Sequence, residues 1–359
     1  MKLKIGKIIS AAFVGMLMAA TVSGCQKEPE AYSHTDFAMG TVTNMTLYGT
    51  SDSLDQIEEA LVKKVKQVEE EQISWRLEGS QLAKINEELS KNKKTVYVKE
   101  PLKTWLQKSL QLSRDSYGNG RNTVDPSIGK LTTLWDFDAE NPAVPAKEKI
   151  EDAIKGANNS SDHVSIDAKG VVSSKNKDVM FDLGAFGKGI GIDEAKAFLK
   201  KQEDVSGAMI ALGGSILVYG EKPDGSSWNV GIQNPSQKDG EVLGSVKVSG
   251  NTFLSTSGDY EKYFVDKKTG KRYFHILDAK TGYSVNTDIT SCTIICDSGL
   301  NSDGLSTACF TLGVEGSKEL LKKYNAKAIF VDKDKNVYVS EGLDFTLKDE
   351  SYTMIKQNS

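Results

Sequence analysis

The spacing of apolar residues changes character about halfway along the chain. Thr41 to Tyr48 (TVTNMTLY) alternates like a strand, and Leu54, Ile57, Leu61, Val65 and Val68 then recur at helical spacing behind Ser51 or Asp52 as a cap. A second helix is expected over Ser80–Leu89. A third starts at Pro101 and runs toward Tyr117, with Leu102, Trp105 and Leu106 inward. A short helix over Ala146–Ala157 precedes two strand-like runs near Val164 and Val171. From residue 178 the rhythm becomes that of strands. Asp178–Leu183 reads as a strand entering a Gly-rich turn, and Ile192–Lys201 as a helix. Strands are expected over Ala208–Leu212, Ile216–Tyr219, Trp228–Ile232, Val242–Val248, Phe253–Thr256, Arg272–Leu277 and Ile289–Cys296. Helices follow at Asn301–Leu312 and Ser317–Tyr324, then a hairpin of Ala328–Val331 and Val337–Val339. Helices dominate first and strands later, with no linker between them and no repeat of fixed period. The pattern predicts one α+β domain over residues 35–359, with mixed or antiparallel sheets and flanking helices.

The N-terminal segment does not fit that domain. Lys2, Lys4 and Lys7 precede a mostly apolar run from Ile8 to Ala20, which ends in Val22-Ser23-Gly24-Cys25. This is the pattern of a secretory leader, too short to span a membrane comfortably. Small residues before a Cys match a bacterial lipobox, in which Cys25 is lipidated after residues 1–24 are removed; a plain signal peptide with an incidental Cys is the alternative. Residues 25–34 then read as a lipidated Cys and polar tether, with His34 in the tether. The expectation is an extracytoplasmic protein held on the cell membrane by a lipid anchor. Losing three Lys with the leader takes the net charge from −4 to −7, and nothing points to nucleic acid. Four Cys are too few and too scattered for a disulfide scaffold or a zinc site. Cys292 and Cys296, about 13 Å apart along one strand, cannot bridge and read as small buried hydrophobes.

Three segments could carry chemistry. In Phe181-Asp182-Leu183-Gly184-Ala185-Phe186-Gly187-Lys188-Gly189 a strand feeds a Gly-rich turn and a helix start, where backbone N–H groups and Lys188 could meet a phosphate. It satisfies neither the P-loop nor the dinucleotide spacing, and close packing explains the glycines equally well. His275, of the three His, is the one set among apolar and aromatic residues in an expected strand; alone, such a His is more often structural than a base. Asp303 and Thr307 are i and i+4, so carboxylate and hydroxyl share a helix face, which suits a hard cation such as Mg²⁺. A first-turn Asp stabilised by the helix dipole is the plainer explanation of Asp303.

Taken in order these segments resemble the ApbE family of bacterial lipoproteins, the FAD:protein FMN transferases. The resemblance is carried by Ala38-Met39-Gly40-Thr41, Ser74-Trp75-Arg76, Val124-Asp125-Pro126-Ser127-Ile128-Gly129, Leu134-Trp135-Asp136-Phe137 and Asp182-Leu183-Gly184 through Lys188-Gly189. Leu212-Gly213-Gly214, Thr256-Ser257-Gly258-Asp259-Tyr260, His275-Ile276-Leu277-Asp278 and Asp303 to Ala308 continue it. It implies one domain that binds FAD and Mg²⁺ and moves FMN onto a Thr hydroxyl of an acceptor flavoprotein, releasing AMP. By position it implies FAD contacts from Met39, Trp75, Thr123, Val124, Asp125, Asp182, Lys188 and Ile276. It further implies metal ligation by Asp303, Thr307 and the Ala185 carbonyl, with His275 as general base. Two departures stand out: Gly304-Leu305-Ser306-Thr307 where the family usually has Ala-Leu-Ala-Thr, and Phe186-Gly187 where a smaller residue is usual.

The stretch from Asp303 also resembles the acceptor motif of that family, D-G-x-S-G-A-[ST]. Thr307 replaces its second Gly and Cys309 its modified residue, which argues against self-modification. Two rival functions use the same residues differently. An FAD pyrophosphatase would give free FMN and AMP, and a non-catalytic flavin-binding lipoprotein would hold FAD intact.

Overall fold

In the computed structural model, which describes residues 30–357 apart from 51–52, 94, 119, 158–163, 175, 177 and 237–239, the main sheet follows chain order. Its strands are β1 (Glu30–Ala38), β2 (Thr41–Gly49), β3 (Val205–Leu212), β4 (Ser215–Gly220), β5 (Thr252–Gly258), β6 (Ile289–Cys296), β7 (Lys327–Asp332), β8 (Asn336–Val339) and β9 (Thr353–Lys356). Neighbours pair antiparallel, except β8 and β9, which are parallel. Both faces of the sheet are covered, so its inner strands are apolar on both sides. On β7, Ala328 and Phe330 face a helical layer, while Ile329 and Val331 face a smaller sheet of Trp228–Gln233, Val242–Val248 and Asp344–Leu347.

The helical layer is inserted at two points. Between β2 and β3 lie α1 (Leu54–Gln67), α2 (Gln81–Ser90), α3 (Leu102–Asp115), α4 (Gly129–Trp135), α5 (Lys147–Ala157) and α6 (Gly187–Leu199). Between β6 and β7 lie α7 (Gly299–Gly316) and α8 (Lys318–Lys323). Helix α1 passes into a π-helical stretch, Val68–Ile73, before Trp75. The fold is α+β, as the pattern predicts.

Several boundaries differ from the sequence expectation. Residues 30–34, expected as tether, belong to β1, where His34 pairs with Met45. Residues 178–183 form no strand beyond a bridge of Met180 with Ile128. Neighbours satisfy that backbone group by group instead: Asn86 bonds both the N–H and the C=O of Phe181, and Asp182 donates its N–H to the Pro126 carbonyl. Helix α6 starts at Gly187, five residues before the expected Ile192. The strand expected to run to Leu277 stops at Phe274, where the Ser284 hydroxyl bonds both the N–H and the C=O. His275 therefore sits in a bend. The leader, Cys25, Ser51 and Asp52 lie outside the described residues.

Glycines in α6 and α7 let the two helices cross in backbone contact. A Cβ on Gly189 would collide with the Gly299 carbonyl, and one on Gly299 with the Gly189 carbonyl. The crossing makes each helix cap the other. Asp193 of α6 accepts the Gly299 and Leu300 N–H groups at 2.8 Å each, and Asp303 of α7 accepts the Gly189 N–H at 2.9 Å.

The two departures from the ApbE pattern also meet here. Phe186 is fully buried, and a Cβ on Gly304 would overlap its ring. Phe186 fills the space that an Ala would claim. Helix propensity alone would make Gly304→Ala stabilising by about 1 kcal/mol. Packing predicts a loss of about 1–3 kcal/mol, and partial recovery when Phe186→Leu is added. Thermal or urea melts of the single and double variants decide by sign.

Candidate active site

The α6/α7 crossing fixes a carboxylate beneath the Gly-rich turn. Asp303 is the fifth residue of α7, beyond the first turn, and is only 3% exposed. Its Oδ2 accepts from Gly189, and its Oδ1 accepts the Ser215 hydroxyl at 3.0 Å and lies 3.5 Å from Lys188 Nζ. The Asp303 charge holds the Lys188 ammonium above its usual pKa, with Glu261 adding to the effect. Lys188 still keeps a quarter of its side chain accessible. It thus lines an opening rather than a sealed interior.

Asp303 has a second effect on the turn. In an ordinary helix the Gly189 N–H would bond the Ala185 carbonyl. Because Asp303 takes it, the Ala185 carbonyl accepts no hydrogen bond among the described residues. One turn along α7, the Thr307 hydroxyl has a single long contact, 3.3 Å, with the Ser257 hydroxyl. The corner therefore offers one carboxylate, one free carbonyl and loosely held hydroxyls, all hard oxygen donors. Among the described residues no cluster of three His, Cys, Asp or Glu side chains is gathered for a metal. Such a corner suits a cation that keeps waters or substrate oxygens, and does not suit zinc.

His275 is close enough to feel the Lys188 charge. Its N–H donates to the Lys262 carbonyl at 3.0 Å, and its buried Nδ1 has no hydrogen-bond partner among the described residues. Burial, with help from the Lys188 and Lys262 charges, lowers its pKa from 6.5 to about 4. It is a neutral imidazole at physiological pH, with an unspent ring nitrogen. Two carboxylates of the neighbouring segments are engaged elsewhere. Asp278 pairs with Arg121 at 3.0 Å and accepts the Lys280 and Thr281 N–H groups, and Asp259 lies 3.8 Å from Arg272.

A model of the ApbE family matches residues 39–330. The chain belongs to the ApbE family. It is 30% identical to the FAD:protein FMN transferase of Treponema pallidum over 331 residues, covering 87% of each chain. It is 26% identical to that of Haemophilus influenzae over 346 residues, covering 93% of this chain and 96% of the relative. The crystal structure of the ApbE protein of Thermotoga maritima superposes with a TM-score of 0.76 at 29% identity, covering 87% of this chain and 97% of the other.

The positions that the resemblance implies as FAD contacts are spread over distant elements. Met39, in the β1–β2 turn with φ 53°, donates its N–H to Glu69 and lays its sulfur against Gly191 of α6. Trp75 is half-buried, with the Arg76 guanidinium 4.1 Å from its ring centre. Arg76 and Lys262 both pair with Asp138, which ties the Trp75 loop to the segment before His275. Thr123, Val124 and Asp125 are buried. The Thr123 hydroxyl bonds the Ser116 carbonyl, and Asp125 accepts from Ser127. Asp182 bonds the Gly184 N–H at 2.7 Å and shapes the turn, and Ile276 is a core residue. Sequence reasoning missed Glu69, Ser215 and Glu261. Glu261, whose carboxyl pKa burial raises against the pull of Lys188, stands beside the Gly214 turn next to Ser215. The Ser257-Gly258-Asp259-Tyr260 motif just before it was its one available signal. The stretch resembling an acceptor motif lies inside α7, with Cys309 fully buried, out of reach of any donor.

Proposed function

We propose that this ApbE protein transfers FMN from FAD to a Thr hydroxyl of an acceptor protein and releases AMP. The observation that carries the reading is the unpartnered Nδ1 of His275 beside the Lys188–Asp303 pair. In the reaction the Thr oxygen bonds to the phosphorus on the FMN side. The anhydride P–O bond breaks, and its electron pair leaves with AMP. His275 takes the hydroxyl proton as the new bond forms, since a neutral imidazole is the form able to accept it. Lys188 and the α6 N-terminus supply positive charge to the pyrophosphate. Trp75 and Met39 offer apolar surface to the flavin or adenine ring.

Asp303, Thr307 and the Ala185 carbonyl are the residues that would hold Mg²⁺. A cation there neutralises pyrophosphate charge. Lys188 balances Asp303 until then. The other implied contacts, Thr123 to Asp125, Asp182 and Ile276, wall the FAD site. The test is intact-mass measurement of an acceptor domain carrying the D-G-x-S-G-A-T motif after incubation with the protein, FAD and Mg²⁺. The expected gain is one FMN less water, on the motif Thr; an unmodified acceptor contradicts the reading.

The leader motif supports an extracytoplasmic, lipid-anchored protein: a signal over residues 1–24 and diacylglycerol on Cys25. Cys25→Ser should shift the protein from the membrane fraction to the soluble one. Membrane retention with a cleaved leader would remove the lipobox from the account.

A further inference from the structure

The hairpin of Tyr263–Val265 and Arg272–Phe274 leads directly into His275. Its rungs determine which backbone groups are free. Lys262 accepts from His275, and Asp266 donates to Lys271 at 2.9 Å, so residues 262, 264 and 266 face the paired strand. The N–H and C=O groups of Tyr263 and Val265 therefore point to the opposite edge. The sheet has two strands, and that edge has no partner among the described residues. The Tyr263 and Val265 side chains are each 51% exposed, while Phe264 turns inward toward Trp135 and Tyr273. Arg272 stacks 3.9 Å from the Tyr263 ring and bonds the Asp259 carbonyl, which anchors the surface.

Charge singles out the same hairpin. Residues 262–274 contain five Lys or Arg and one Asp, a net +4 in a chain of net −4. One Lys can blunt an edge against aggregation. Here Lys267, Lys268 and Lys271 crowd the tip and leave the Tyr263 and Val265 rungs clear.

We propose that this edge and its cationic tip bind the acceptor protein. An extended acidic segment adds as a third strand along Tyr263–Val265 and carries its hydroxyl past Lys262 to His275. This rests on the transferase reading, because a protein-sized nucleophile must dock against whatever surface adjoins the base. Main-chain rungs supply affinity, and the Lys charges select an acidic segment and speed encounter.

The probe is a purified acceptor domain carrying the D-G-x-S-G-A-T motif in an acidic loop. K267E/K268E/K271E should raise the acceptor KM about tenfold or more, with kcat within about twofold and FAD affinity, read by flavin fluorescence quenching, unchanged. The wild-type KM should rise with salt and that of the variant should not. Val265→Pro removes an outward N–H without breaking a rung of the hairpin, and should raise KM as well. Unchanged KM in both variants overturns the proposal. So does loss of binding to phosphatidylglycerol vesicles with KM unchanged, which would make the hairpin a membrane contact. If the wild type transfers no flavin, the transferase reading fails. Fluorescence anisotropy of the labelled acceptor domain still decides the docking: equal binding by wild type and variants, or none by the wild type, overturns it.

Discussion

His275→Ala should retain FAD binding and lose FMN transfer to a Thr acceptor by about 10²–10⁴-fold, the range for removing a general base. The loss should fall on kcat, because proton removal matters in the transition state and little in ground-state binding. The position tolerates truncation: His275 is half-buried and its ring nitrogen Nδ1 has no hydrogen-bond partner among the described residues, so the substitution strands none of them. The pH profile sharpens the expectation. With its pKa lowered to about 4 by burial and by Lys188 and Lys262, the base stays deprotonated well below 6.5. The acid limb of kcat/KM, which reports the free enzyme, should lie near pH 4 and not near 6.5. Stability follows the same sign. A folded pKa below the unfolded value means that the unfolded chain binds the proton first, so the contribution is present above about 6.5 and is lost as pH falls toward 4. Transfer at the wild-type rate by His275→Ala would make the residue structural.

Asp303→Asn carries the second large effect. The amide can still accept from Gly189 and donate to the Ser215 hydroxyl, so the α6/α7 crossing should survive. What is lost is the charge that balances Lys188 and would hold the cation. Transfer should fall by about 10²–10³-fold, the scale for removing one preorganised electrostatic contact. Mg²⁺ binding, read by calorimetry, should weaken about tenfold or more. Asp303→Ala is the poorer test. It leaves the buried Gly189 N–H unpaired at a cost of about 1–3 kcal/mol, so its inactivity could reflect a loosened crossing. Wild-type Mg²⁺ affinity and activity in Asp303→Asn would remove Asp303 from the site.

What the sequence made legible was local. Asp303 and Thr307 share a helix face by their spacing, and that pairing needs no tertiary knowledge. The covered strand β7 announces itself through the continuous apolar run Ala328-Ile329-Phe330-Val331. Strand β1 did not, because it is an exposed edge strand of mostly polar residues and reads like a tether. The start of α6 was hidden for a different reason. Three glycines in a helix are poor formers, and only tertiary contacts make them necessary: the Gly299 backbone against Gly189, and Met39 and Leu212 against Gly191. Ser215 and Glu261 became visible only once β4 and the segment after β5 met around Asp303 and Lys188. The bend at His275 depends on Ser284, nine residues on.

The destination of the FMN separates transfer from hydrolysis. Purified protein, FAD, Mg²⁺ and a Thr-bearing acceptor domain should yield AMP and acceptor-bound FMN in equal amounts, with free FMN a minor product and both products lost together in His275→Ala. AMP appearing with an equal amount of free FMN and no flavin on the acceptor would contradict it and leave an FAD pyrophosphatase in its place.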